Sequence, residues 1–365
     1  YYKKNKMNKK EANKSALNEK EGVAQPKSIS VKVASTLKTK RIKVPATKEL
    51  IKGIFKKDKT ALSRAITLVE STVQKHQDQA REIIEACLTH ANNSIRIGIT
   101  GVPGVGKSTF IEQFGKLLTQ KNYKVAVLAV DPSSSISGGS ILGDKTRMED
   151  LVREPNAFIR PSASRDSLGG VARNTREAII LCEAAGYNII LIETVGVGQS
   201  ETVVHSMTDF FLLLKLAGAG DELQGIKRGI IEMADSIVIN KADGNNITAA
   251  QLAKTEFNRA LHLYPNKGND WTPKTLTCSA LHNQGVSEIW ELIQNFNSIT
   301  KKNGYFQQKR NDQNRYWLLQ TIENTLKSDF YNHQKIKEEL KKQLILISEN
   351  KTTPFEAANY LLTIR

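Results

Sequence analysis

The chain has 365 residues, of which 39% are hydrophobic, and a formal net charge of +16 at pH 7. This length allows one large α/β domain with appended segments. No apolar run approaches the roughly 18 residues of a membrane-spanning helix, so the sequence predicts no membrane span. Three widely separated cysteines, Cys87, Cys182 and Cys278, are predicted to be buried small hydrophobic side chains, and the six scattered histidines do not suggest a zinc or nickel site.

Residues 1–45 form a basic segment that we predict to be a disordered tail. It holds 13 Lys and Arg against three Glu, a net charge of +10, and few large apolar side chains. Such a composition cannot bury enough surface to offset chain entropy. A tail of this kind could contact nucleic acid or anionic lipid, but lysine runs favour a solvated extension, so we regard a nucleic-acid partner as unlikely. The tail lacks the apolar stretch of a secretion signal, and we expect a cytoplasmic protein.

Residues 46–94 are predicted to form an N-terminal helical arm. Apolar residues recur at helical spacing from Leu62 to Val69 and again from Ile83 to Cys87. This periodicity predicts one or two helices between residues 61 and 91.

A phosphate-binding motif follows the arm. Residues 101–108 read Gly-Val-Pro-Gly-Val-Gly-Lys-Ser and match G-x-x-x-x-G-K-[ST], between a predicted strand and a predicted helix. Glycines let backbone N–H groups converge on an anion, and the helix dipole adds positive potential there. Lys107 is expected to reach the β- and γ-phosphates, and Ser108 to bind Mg²⁺. The predicted nucleotide contacts in this segment are Gly101, Gly104, Val105, Gly106, Lys107, Ser108 and Thr109.

From residue 95 to about residue 300, strand and helix patterns alternate, which predicts an α/β domain with a mostly parallel sheet and helices on both faces. Because the phosphate-binding motif lies at its start, we expect this domain to bind and hydrolyse the nucleotide. Ligands of such sheets bind at the carboxyl ends of the strands. The predicted strands are 95–100, 124–130, 188–193, 210–215, 236–240 and 275–278.

Two acidic residues stand at the ends of predicted strands, beside the phosphate-binding loop of residues 101–108 (the P-loop). Asp131 follows the strand 124–130, and Glu193 ends the strand 188–193 in the sequence Glu-Thr-Val-Gly. We expect both to act on Mg²⁺ or water, although either could simply cap its strand. Gly196 stands where GTPases donate a backbone N–H to the γ-phosphate. The next residue, Val197, cannot orient water as a glutamine does, so intrinsic hydrolysis is expected to be slow.

A loop at 218–229 follows the strand 210–215. It contains Lys227 and Arg228, either of which could swing toward the phosphates. The predicted catalytic residues are therefore Lys107, Asp131, Glu193 and Lys227.

The base is indicated by the sequence Asn-Lys-Ala-Asp that follows the strand 236–240. Asp243 offers a carboxylate to two guanine donors that adenine lacks, the Lys241 stem can lie along the base, and Asn240 can tie this loop to the P-loop. Ser279 and Ala280 resemble the loop in which GTPases meet guanine O6. The predicted ligand is GTP or GDP, with Mg²⁺.

Residues 301–365 are predicted to form a C-terminal helical arm with an apolar stripe that includes Leu319, Ile322 and Leu326. The stripe is compatible with packing on the nucleotide domain and with dimerisation, and the sequence does not distinguish these alternatives.

The longer motifs resemble the methylmalonyl-CoA-mutase-associated GTPases of the MeaB/ArgK type over roughly residues 60–300. The resemblance is carried by segments beyond the P-loop: 62–70, 131–134 together with 137–148, 193–201 and 218–227. It implies a P-loop GTPase with helical extensions that forms a homodimer. It also implies that the protein gates adenosylcobalamin loading and protects a cobalamin-dependent acyl-CoA mutase, with methylmalonyl-CoA mutase as the expected partner.

The resemblance also implies two nucleotide-sensitive segments. One contains Val197, Gly198, Gln199, Ser200 and Glu201. The other faces the partner and includes Asp221, Glu222 and Gln224. Two other functions are alternatives: a nickel-insertion GTPase, for which the sequence lacks a His or Cys cluster, and a transport-linked kinase, which the Asn-Lys-Ala-Asp motif disfavours.

Deleting residues 1–45 is expected to leave the melting temperature and the GTPase rate nearly unchanged, because the segment contributes charge but little apolar surface. Thermal melts and phosphate-release assays of the full and shortened chains would check this. A melting temperature lower by many degrees would show that the segment packs on the rest of the protein.

Overall fold

The computed structural model describes most of the chain beyond the basic segment. The described residues are 45–91, 93–130, 148–161, 168–194, 200–218, 228–265 and 267–364.

In the described part of the chain, seven parallel strands form one sheet, which confirms the predicted α/β fold. Their order across the sheet is β3-β2-β4-β1-β5-β6-β7. Strand β3, a four-residue strand at the edge of the sheet, is not among the predicted strands, and β7 begins and ends one residue earlier than predicted. The strands are β1 (Ile95–Gly101), β2 (Val125–Val130), β3 (Ala157–Arg160), β4 (Ile189–Thr194), β5 (Phe210–Leu216), β6 (Ser236–Asn240) and β7 (Lys274–Thr277).

Helices cover both faces of the sheet and extend beyond it. They are α1 (Thr47–Phe55), α2 (Lys59–Val69), α3 (Gln74–Cys87), α4 (Lys107–Gln120), α5 (Glu149–Arg153), α6 (Leu168–Ala184), α7 (Ser200–His205), α8 (Arg228–Met233), α9 (Ile247–Leu261), α10 (Val286–Lys302), α11 (Tyr305–Asn332), α12 (Gln334–Ser348) and α13 (Pro354–Thr363).

The central strands are apolar throughout because alternate side chains enter two different cores. On β4, Ile190 and Ile192 pack with α1–α3 and α6, whereas Ile189 and Leu191 pack with α4 and α10. A strand covered on both faces has no solvent side, so its sequence is a continuous hydrophobic run. The three cysteines are buried, as expected.

In its described residues, the N-terminal arm contains three α-helices and a short 3-10 helix at Leu88–His90, and it packs on one face of the sheet. Helix α1 was not anticipated from the apolar periodicity; its side chains Leu50 and Ile54 are buried in the core shared with α6. Asp58 caps α2 by accepting a 2.8 Å hydrogen bond from the Thr60 backbone N–H. At the far end of α2, Glu70 pairs with Arg160 at the end of β3, which fixes the arm to the edge of the sheet.

The C-terminal arm is attached to the amino-terminal edge of the sheet. Arg310 on α11 donates to both carboxylate oxygens of Asp209, just before β5, at 2.8 and 2.7 Å, and to the Ser94 carbonyl oxygen at 2.7 Å. Farther along α11, Leu319, Ile322 and Leu326 are about half exposed. The first turns of α11 therefore pack on the sheet domain, and the apolar stripe beyond them faces solvent in the single chain.

Replacing Arg310 with alanine is expected to lower the free energy of unfolding by about 3–5 kcal/mol, because it removes the guanidinium that pairs with the buried Asp209 carboxylate. The matched control is Arg315→Ala, an exposed arginine on the same helix, for which we expect a change within about 0.5 kcal/mol. Urea unfolding of both variants measures the difference. Similar effects in the two variants would contradict the assigned importance of the ion pair.

Candidate nucleotide-binding site

The P-loop connects β1 to α4 at the carboxyl edge of the sheet. Gly106, immediately before α4, has φ 94°, in the left-handed region. A Cβ atom there would lie 2.7 Å from Asn240 Nδ2, so only glycine fits without displacing the end of β6. The predicted phosphate contacts Gly101, Gly104 and Val105 precede it, and Thr109 lies in the first turn of α4.

Lys107 begins α4 and is largely buried. Its Nζ donates hydrogen bonds to the carbonyl oxygens of Gly101 (2.7 Å) and Val102 (3.3 Å). Burial lowers its pKa from the usual range, and the negative charges of Glu193 and Glu201 oppose that shift. The ammonium is therefore held inside the loop, with two carboxylates in its surroundings.

Ser108 and Glu193 meet at the predicted metal position. The Ser108 hydroxyl donates to Glu193 Oε1 at 3.4 Å, and Glu193 is buried at the end of β4. The next residue, Thr194, donates its hydroxyl proton to Thr100 Oγ1 at 2.9 Å. A hydroxyl and a carboxylate lie side by side next to the first turn of α4, and both are oxygen donors of the kind that Mg²⁺ prefers.

Asn240, the last residue of β6, joins two loops. Its Nδ2 donates to the Val105 carbonyl oxygen at 2.8 Å. Its Oδ1 accepts from the Ala280 backbone N–H and from the Cys278 thiol, each at 3.2 Å. The sequence interpretation treated Cys278 only as a buried hydrophobic residue; its position directly before the Ser-Ala pair was the available signal for this second role.

The two predicted base-recognition segments also contact each other. The Ser279 hydroxyl donates a short hydrogen bond to Asp243 Oδ2 and accepts from the His282 backbone N–H at 3.3 Å. Lys241, which directly follows the last residue of β6, has φ 58°, and this left-handed conformation turns the chain sharply there. Asn240, Lys241, Asp243, Ser279 and Ala280 therefore lie together, with the Asp243 carboxylate oriented by a neighbouring hydroxyl.

Several predicted residues lie outside the described part of the chain. They are Asp131, Gly196, Val197, Gly198, Gln199, Asp221, Glu222, Gln224 and Lys227. Ser200 and Glu201 are described and form the first turn of α7.

Neither a metal centre of the kind considered for nickel nor a membrane span is found among the described residues. Within those residues, no group of three or more His, Cys, Asp or Glu side chains is placed to hold a metal ion. Likewise, in the described ranges no helix combines the length and apolarity required to cross a bilayer.

The parallel sheet, the glycine loop before α4 and the Asn240–Asp243 segment at the same edge together define a P-loop GTPase. Comparison with known families agrees. The family model described as methylmalonyl Co-A mutase-associated GTPase MeaB matches residues 62–335, and the chain belongs to this family. The prediction of a GTP-hydrolysing member of the MeaB/ArgK type is thereby confirmed.

Individual relatives are similar over most of their length. GTPase ArgK of Escherichia coli (strain K12) is 45% identical over 306 residues, covering 84% of this chain and 92% of that protein. The methylmalonic aciduria type A homolog, mitochondrial, of Mus musculus is 44% identical over 323 residues, covering 86% and 78%. A crystal structure described as a LAO/AO transport system kinase superposes with a TM-score of 0.71 at 38% identity, covering 87% of this chain and 97% of that one.

Replacing Asp243 with asparagine is expected to weaken GTP binding by about 10-fold or more and to strengthen binding of xanthosine triphosphate, because an amide cannot accept from both guanine donors. Titration of both nucleotides against the variant measures the exchange of preference. The control, Asp312→Asn, alters an exposed acid on α11 and should change neither affinity. Unaltered GTP binding by the Asp243 variant would remove this residue from base recognition.

Proposed function

We propose that this GTPase is a chaperone of an adenosylcobalamin-dependent acyl-CoA mutase, with methylmalonyl-CoA mutase as the expected partner. The observation that carries the proposal is the family match, which extends from the N-terminal arm through the nucleotide site and α11. The name of the mouse relative, a methylmalonic aciduria type A homolog, supports the same partner. In this proposal the nucleotide state gates cofactor loading and protects the mutase.

GTP is proposed to bind with its phosphates on the P-loop. Lys107 would exchange the Gly101 and Val102 carbonyl oxygens for phosphate oxygens, a transfer of hydrogen bonds that requires little movement of its backbone. Its positive charge would then stabilise the charge that develops on the γ-phosphate during hydrolysis. The guanine ring would lie against Lys241 and pair with Asp243.

The oxygen atoms of Ser108 and Glu193 fit a magnesium ion, and Asp131 is proposed as a third group for the same ion or its water. When bound there, Mg²⁺ would neutralise phosphate charge. The role of Glu193 is then to hold Ser108 and the ion at the amino end of α4.

Homodimerisation is supported by the exposed stripe on α11. Leu319, Ile322 and Leu326 are 50, 47 and 50% exposed on the segment that lies beyond the contacts with the sheet domain. Contiguous apolar surface of this kind marks protein interfaces. We propose that a second copy of the chain covers it.

The partner is proposed to act through the two loops that contain the predicted switch residues. Val197 cannot orient water, so the free protein is expected to hydrolyse GTP slowly. A mutase that binds one conformation of the loops more tightly shifts the equilibrium toward it, and could bring Lys227 to the phosphates.

Methylmalonyl-CoA mutase from the same cell is expected to raise steady-state phosphate release by about 10-fold or more, because a cation delivered to the γ-phosphate stabilises the transition state. Lys227→Ala should abolish the stimulation, and Lys254→Ala, which alters a half-buried lysine on α9, should preserve it.

Absence of stimulation by any cobalamin-dependent mutase of that cell would overturn the chaperone function. Stimulation that survives Lys227→Ala would retain the partner and remove Lys227 from the mechanism.

A further inference from the structure

A cavity of about 690 Å³ lies at the edge of the sheet opposite the nucleotide site. Asp235 and Trp271, both shortly before the strands β6 and β7, form part of its wall. Its volume is within the range of about 300–1,000 Å³ typical of small-molecule sites. The nucleotide site uses none of its lining residues.

The walls of the cavity are largely apolar. Ile231 and Met233 on α8, Leu261 at the end of α9, and the Trp271 ring contribute to them. Trp271 is fixed by a 2.8 Å hydrogen bond from its Nε1 to the Asp235 carbonyl oxygen. Apolar walls around a rigid aromatic ring suit the hydrophobic body of a ligand.

The inner part of the cavity carries excess positive charge. Two ammonium groups face one carboxylate: Lys267 Nζ lies 3.1 Å from Asp235 Oδ1, and Lys309 Nζ lies 3.7 Å from Asp235 Oδ2. The charge of the nearby Asp209 is matched by Arg310, so one positive charge remains. The lining residues include a second acid, Glu232, but its side chain is exposed at the rim.

The two ammonium groups differ in their hydrogen bonds. Lys267 Nζ donates to the carbonyl oxygens of Met233 and Ala234 and to Asp235, which uses all three of its protons. Lys309 Nζ donates to the Asp209 carbonyl oxygen at 2.8 Å, and it lies 3.7 Å from Asp235 Oδ2, too far for a good hydrogen bond. Lys309 is therefore the group that can donate to an anion in the cavity.

His205 in the cavity wall is uncharged at neutral pH. Burial, reinforced by the charge of Lys309, lowers the pKa of His205 to about 4. Its imidazole is neutral and can donate or accept a hydrogen bond.

The cavity also touches the two helices in which the predicted switch segments, 197–201 and 218–229, end. Thr202 and His205 belong to α7, which begins directly after residue 199, and Met233 belongs to α8, which begins directly after residue 227. Tyr305 and Lys309 belong to the first turns of α11. A ligand in the cavity would therefore contact α7, α8 and α11 together, and the first two of these helices are continuous in the chain with the predicted switch segments.

Helix α11 is bonded to the segment that links α7 to β5. The side chains of Lys309, Gln313 and Trp317, spaced four residues apart on one face of α11, donate to the carbonyl oxygens of Asp209, Thr208 and Ser206 at 2.8, 2.8 and 3.1 Å. Movement of the end of α7 must therefore move α11 or break these bonds.

We propose that this cavity is a regulatory site for a small organic anion with an apolar body and one carboxylate or sulfonate head, and that its occupancy changes the rate of GTP hydrolysis. The head pairs with Lys309, and the body packs between α8 and Trp271. Because the ligand contacts α7, α8 and α11 together, it favours the relative placement of these helices in which it binds most tightly.

Binding is tested on the full chain with two fluorescent probes, anilinonaphthalene sulfonate and the uncharged N-phenylnaphthylamine, which share an aromatic body. One sulfonate probe should bind per chain and quench Trp271. Lys309→Met should weaken it by about 10-fold, the worth of one charged hydrogen bond, and leave the neutral probe unchanged. Lys302→Met, on an exposed lysine of α10, should affect neither probe.

Variants that fill the cavity distinguish probe binding in the cavity from probe binding to the apolar stripe of α11. Thr272→Trp, at an exposed position of the cavity rim, should abolish binding of both probes, with Thr202→Trp on the opposite helix as a second filling variant. Leu326→Ser should preserve binding. Circular dichroism and thermal melts of each variant establish that it is folded.

Coupling is tested by GTP hydrolysis without any mutase, so that this proposal and the chaperone function can fail separately. Saturating sulfonate probe should change the rate of GTP hydrolysis by the natural chain at least about two-fold, which corresponds to a small coupling free energy. The same probe should not change the rate of the folded filling variants.

Binding that survives both filling variants, or is lost in Leu326→Ser, would overturn the site. Equal loss of the two probes in Lys309→Met would overturn the assigned head group. A GTPase rate that is unchanged at full occupancy would overturn the regulatory role.

Discussion

The nucleotide site depends on one hydrogen bond, from Asn240 Nδ2 to the Val105 carbonyl oxygen at 2.8 Å. The P-loop after β1 and the predicted base-recognition segment after β6 are joined by this bond between residues 135 positions apart in the chain, which holds them in one arrangement. The parallel order β4-β1-β5-β6 brings the strand ends to a common edge, but a sheet fixes its loops only loosely. The amide of Asn240 sets the distance between the positions proposed for phosphate and base. The close approach of Gly106 to the same amide explains why a side chain there cannot be accommodated.

Much of this site could be predicted because its motifs encode backbone geometry. The glycines before Lys107 and the Asn-Lys-Ala-Asp sequence after β6 constrain short segments locally, and the alternation of apolar runs and helices determines a parallel sheet. Features that depend on distant residues could not be obtained in this way. The pairing of Arg310 with Asp209 joins positions 101 residues apart, and neither residue belongs to a motif. Strand β3 is too short for periodicity to reveal, and it is stabilised by pairing with β2 rather than by its own sequence.

The C-terminal arm shows what periodicity can and cannot determine. The apolar stripe on α11 was recognised correctly as a stripe, but its spacing carries no information about what covers it. In the structure the helix divides into two parts. Its first turns bear Lys309, Arg310 and Gln313, which bind the amino-terminal edge of the sheet through polar contacts. The following turns expose Leu319 and Ile322 to solvent. Polar side chains on the first turns were not distinguishable from an ordinary solvated helix face.

The buried thiol of Cys278 has a consequence for the chemistry of the base-recognition segment. Burial raises its pKa to about 12, so at physiological pH the sulfur keeps its proton and continues to donate to Asn240. A protonated, solvent-excluded thiol is a poor nucleophile, and oxidation begins from the thiolate. We therefore expect this side chain, which contacts Asn240 beside the predicted guanine-binding loop, to react slowly with peroxide and with alkylating reagents. Redox stress that inactivates enzymes with exposed, ionised cysteines should leave nucleotide recognition in this protein intact.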